Sequence, residues 1–159
     1  MKNFRLKGDD RLLSSLPSEA LQQCLADLRM VERHEKYRVV MGYYWHTPCP
    51  SRLYCDVCFV GARLARMIDN PEYYLFSLTL ATPLSQQHSR FRAIECFGRG
   101  EIADGVYLFL GLKKIYLLGD TRFKALSKQR ISVKNYDEDR EGWYEDMNRI
   151  VEILRGVEL

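Results

Sequence analysis

The sequence has no hydrophobic run long enough to cross a membrane. Its longest apolar stretch, Val106 to Leu112, falls far short of the roughly 20 residues a bilayer core demands. The start, Met1 to Asp10, mixes Lys2, Arg5, Lys7, Asp9 and Asp10 with few apolar residues, so it offers no apolar region of the kind a secretory signal needs. A cytoplasmic protein with no membrane partner is expected. The five cysteines are an odd number, which argues against a disulfide framework. There is no glycine-rich phosphate loop, no G-x-S-x-G and no H-E-x-x-H. His46-Thr47 and His88-Ser89 are adjacent pairs and not the spaced motifs of a two-histidine phosphoesterase. Repeats, low-complexity tracts and interdomain linkers are lacking as well.

What is present is an ordinary globular composition. The 159 residues are 47% hydrophobic and 28% charged, and a chain of this size buries about two thirds of its unfolded surface. One domain over residues 1–159 is expected, with 1–14 fraying. Ser14, Ser15 and Pro17 start a helix that runs to about Glu35. Its apolar face is Ala20, Leu21, Cys24, Leu25, Leu28 and Val31, and its polar face Glu19, Gln22, Gln23, Asp27 and Glu35. Tyr37 to Trp45 is β-branched and aromatic and reads as one strand, with Gly42 as a bulge. After the loop around Pro48 and Pro50, a stripe of Val57, Cys58, Val60, Gly61, Leu64, Ala65 and Ile68 predicts a helix over Tyr54 to Ile68, with Arg63 and Arg66 off the stripe. Glu72 to Ala81 is ambiguous between helix and strand.

Further helices are expected over Ser85 to Phe97, closed by Gly98-Arg99-Gly100, and over Glu101 to Gly111, where Gly105 is unfavourable. A short strand follows at Ile115 to Leu118. The last helix is Asp139 to Val157, with Trp143, Met147, Ile150, Val151, Leu154 and Val157 on one face and its acids outward. The fold class is therefore α+β, mainly helical, with a minor short-stranded element. Cys24 and Cys96 fall on apolar helical faces and read as buried small hydrophobes.

His46, Cys49, Cys55 and Cys58 form the sharpest chemical pattern, H-x2-C-x5-C-x2-C. Four nitrogen and sulfur ligands suit tetrahedral zinc, and with no position left open the site would be structural. The alternative is that Cys55 and Cys58 are core residues at a helix start and His46 an ordinary loop histidine. A thiolate at a helix start with His46 as base is a third option, but one Cys and one His close in sequence is too common to assign a nucleophile. No catalytic residue and no other cofactor is assigned.

Charge is strongly segregated although the net is only +3. From Lys113 to Lys134, seven basic residues oppose Asp120 alone, giving +6. From Asn135 to Leu159, eight acids oppose three arginines, giving −5. Two opposite segments in succession either neutralise each other on folding or present two charged faces. The basic segment places Phe123 between Arg122 and Lys124, with Lys128 and Arg130 beyond. That combination suits phosphate contact with base stacking, and Arg90, Arg92 and Arg99 extend it. A solvated basic face is the plainer alternative.

The succession Tyr37…Met41-Gly42, Trp45-His46-x-Pro48 and Cys55-x-Val57-Cys58-Phe59-x-Gly61-Ala62 resembles a group of small uncharacterised proteins encoded by bacteriophages and prophages. The group's pattern is Y-x-V-x-M-G-x-W-H-x-P followed by C-x-V-C-L-A-G-A. Phe91-Arg92-Ala93-Ile94, Gly98-x-Gly100-x-Ile102-Ala103 and the acidic last helix extend the likeness more loosely. Phe59 stands where the pattern has leucine, Arg63 interrupts a stretch that is usually apolar, and Cys49 is not part of the pattern. The resemblance implies a genomic setting and carries over no activity. It leads to an expectation of binding without turnover: a phage-type accessory protein that modulates or inhibits a host protein or complex, such as a bacterial defence system. A nucleic-acid or nucleotide-binding module and a small zinc-stabilised structural protein are the alternatives.

Overall fold

The computed structural model describes residues 13–34, 37–41, 45–46, 55–59, 62, 88–111, 126 and 131–157. Those residues are mainly helical. The chain falls into two compact units, Met1–Leu13 with Gln23–Gln87 and Ser14–Gln22 with His88–Leu159.

Helix α1 spans Pro17–Glu32. The Leu16 carbonyl accepts its first helical bond from the Ala20 N–H, which puts Pro17 at the first helical position, where its missing N–H is not needed. Ser14 Oγ accepts from the Leu16 N–H and donates to Glu19, so the serine start signal is realised one turn ahead of the helix. Ala20, Leu21, Cys24, Leu25, Leu28 and Val31 are buried, in the period expected. Asp27 is buried too, which corrects its assignment to the polar face.

In the first unit β1 is Tyr37–Val39, β2 is Trp45–His46 and β3 is Cys55–Val57. They form a three-stranded sheet in the order β1-β3-β2. β1 runs parallel to β3, pairing Tyr37 with Cys55 and Val39 with Val57. β2 runs antiparallel, pairing Trp45 with Val57 and His46 with Asp56. Two sequence expectations are corrected here. Tyr37 to Trp45 is not one strand, because the chain leaves the sheet at Val40 and turns at Met41. Composition alone does not separate one long strand from two short ones that flank a third. Cys55 and Val57 do not open a helix, because they lie in the middle strand. Helical backbone follows at Phe59 and Ala62, where the Ala62 N–H donates to the Cys58 carbonyl. The C-x-V-C motif therefore straddles a strand-to-helix junction.

In the second unit α2 is His88–Gly98, α3 is Ile102–Leu110 and α4 is Arg140–Gly156. α2 packs extensively on α3 and touches α4. α2 contributes Phe91, Ile94, Cys96 and Phe97, α3 contributes Ile102, Val106 and Phe109, and α4 contributes Trp143, Met147, Ile150, Val151 and Leu154. The predicted stripe of α4 is thus buried except for Val157, which is half-buried. The Trp143 indole N–H donates to the Gly98 carbonyl at 3.3 Å, joining α4 to the end of α2.

Gly105 weakens α3 as an isolated helix but is required by the packing. A Cβ there would lie 2.3 Å from Cε1 of Phe97, a side chain fully buried in the core. Gly105→Ala gains helix propensity of about 1 kcal/mol and meets an aromatic ring with no room to move. Overpacking of this kind costs about 1–3 kcal/mol, so the expected outcome is net destabilisation by denaturant titration. A variant more stable than the wild type would show that the α2–α3 contact is looser than this.

Candidate functional site

The sequence-predicted metal set is placed as follows. β2 holds the backbone of His46 and β3 that of Cys55, in neighbouring and not opposing register positions, since His46 pairs with Asp56 and Cys55 with Tyr37. Cys58 is half-buried at the start of the helical turn that follows β3. Cys49 lies outside the described residues. Among the described residues no group of three or more His, Cys, Asp or Glu is gathered as a metal site. Arg122, Phe123, Lys124, Lys128 and Arg130 lie outside the described residues. So do Gly42, Arg63, Arg66 and the expected elements at Glu72 to Ala81 and Ile115 to Leu118.

Cys24 and Cys96 are both buried, as core cysteines should be. Desolvation pushes the Cys96 thiol up, against the lowering influence of Arg99, whose Nη2 is 3.7 Å from the sulfur. A thiol held protonated in this way is no nucleophile.

The structure does resolve where the basic segment ends and the acidic helix begins. Residues 131–135 carry no helix or strand, and 136–138 turn into α4. This strap is fixed at several points. The Lys134 N–H donates to Asp146 Oδ2 at 2.8 Å. Arg149 forms an ion pair with the other carboxylate oxygen of Asp146. Asn135 Oδ1 accepts from the N–H groups of Asp137 and Glu138 at 2.8 and 3.2 Å, a turn typical of asparagine. The Asp139 carboxylate accepts from the Gly142 N–H at 3.0 Å and so caps α4. Tyr136 is buried edge-on against Trp143, with ring centroids 5.3 Å apart, and the Arg140 guanidinium lies 4.9 Å over its ring. Gly100, at φ 80°, lets the strap pass close: a Cβ there would lie 2.2 Å from the Ile131 carbonyl oxygen.

Asp146 corrects the expectation that the acids of the last helix all point outward. It is 2% exposed. Its position was available in the pattern: it follows Trp143 by three residues and precedes Ile150 by four, so it lies on the apolar face. Burial pushes its carboxyl upward. The Lys134 N–H, the Arg149 side chain and the two positive charges outweigh that and hold it below the ordinary carboxylate value. A carboxylate so placed fixes backbone, and it is not available as a general acid near neutrality.

Comparison with models of protein families, with curated proteins and with solved structures finds no match to this chain.

Two outcomes are expected. The folded Asp146 binds its proton less readily than the unfolded one. Its stabilisation is therefore complete above the ordinary Asp pKa of about 3.9 and is lost as pH falls through the lower folded value. Asp146→Asn should lose about 1 kcal/mol at neutral pH, the difference between a charged and a neutral acceptor. That loss should shrink as pH falls below about 4. A difference from wild type that stays constant from neutral pH into the acid range would mean that no ionised contact is at stake. For the metal, if zinc is bound at His46, Cys49, Cys55 and Cys58, it should appear stoichiometrically in elemental analysis of fresh protein, and chelation should lower the melting temperature. Protein without stoichiometric metal ends that reading.

Proposed function

We propose that this chain is a non-enzymatic, phage-type accessory protein on an α+β scaffold, acting in the bacterial cytoplasm by binding an acidic surface of a host protein or complex. The effect of that binding is modulation or inhibition of the host component, with defence systems the leading class. The observation that carries the proposal is the charge segregation. The +6 segment stops at Lys134 and the −5 segment starts at Asn135, and Lys134 is held to α4 by its backbone. A segment of one sign steers an oppositely charged partner and sets its orientation. The phage resemblance supports a host target.

A second reading rests on a specific feature, Phe123 flanked by Arg122 and Lys124. An aromatic ring between two cations suits stacking on a base with phosphate contact, so a nucleic acid is the runner-up partner. Salt-sensitive retention on a phosphate resin, absent for an acidic polypeptide, would favour it. The zinc-stabilised structural protein is the third reading, decided by the metal analysis.

Charge reversal tests the leading proposal. Arg122→Glu combined with Lys128→Glu changes the segment's charge by four units. Affinity for the partner recovered from host lysate should fall by about a hundredfold at low salt, and the loss should shrink as salt screens the contact. The variant should remain folded, as its denaturant midpoint would show, so that a loss of binding reads the change of charge. A folded variant that binds as well as the wild type puts the interface elsewhere. Turnover of a nucleotide or cleavage of a nucleic acid that requires His46 or Cys58 would overturn the non-enzymatic reading.

A further inference from the structure

We draw no further inference here: the strongest candidate, the half-buried apolar face of α3 at Ala103, Tyr107 and Leu110, carries nothing because nothing in the structure shows what covers it.

Discussion

A carboxylate taken out of water must be matched by donors or it is expelled or neutralised. Asp146 is matched by one backbone N–H from the strap and one guanidinium from its own helix. Much of what is described of the second unit's C-terminal part is arranged around that match. The strap has to approach α4 closely enough for Lys134 to donate, and Gly142 permits it. The chain then has to turn through Asn135 and enter the helix at Asp139, which leaves Tyr136 wedged against Trp143. Trp143 in turn reaches the Gly98 carbonyl at the end of α2, and Gly100 makes room for the Ile131 carbonyl. Each contact constrains the next, so loss of the acceptor at 146 would be felt along the whole strap.

The hydrophobic part of this unit follows a different rule. Phe97, Ile94, Val106 and Met147 are buried in its core, and Gly105 is the place where shape overrides helix propensity. A glycine inside a nine-residue helix is unfavourable by about 1 kcal/mol against alanine. The Phe97 ring occupies the space that an alanine methyl would need. The cost in propensity is therefore the condition for two short helices to pack as closely as they do.

Patterns set by period were legible in the sequence. The starts, ends and buried faces of α1, α2, α3 and α4 follow the spacing of their apolar residues and the placement of Pro17, Gly98, Gly100 and Gly111, to within a few residues. Patterns set by pairing were not. The run from Tyr37 has strand composition throughout, yet β1 and β2 sit on opposite sides of β3, because strand order depends on residues distant in sequence. Val57 fits the helical stripe of Cys58, Gly61 and Leu64 equally well, and only the two neighbours of β3 decide against it. Buried acids were misread for a third reason. Asp27 and Asp146 were assigned outward by charge, although the spacing of Asp146 placed it on the apolar face. A charged residue on such a face is a sign of a specific partner, here the Lys134 amide. Of the candidate site, the charge boundary at residue 134 and the place of Asp146 on the apolar face were legible in the sequence, and the identity of its partner, a backbone amide on the preceding strap, was not.

Whether the acidic helix simply cancels the basic segment turns on where α4's charges find their partners. Arg149 pairs with Asp146 and Arg155 with Glu152, each one helical turn away. Arg140 lies over the Tyr136 ring. Local pairs of this spacing form within the helix without help from elsewhere. Among the described residues, the cation that crosses from the basic segment toward α4 is Lys134, and its ammonium contact is long and exposed. Two of the eight acids from Asn135 onward, Asp146 and Glu152, are met inside the helix in this way, and Asp139 at its cap faces Lys134.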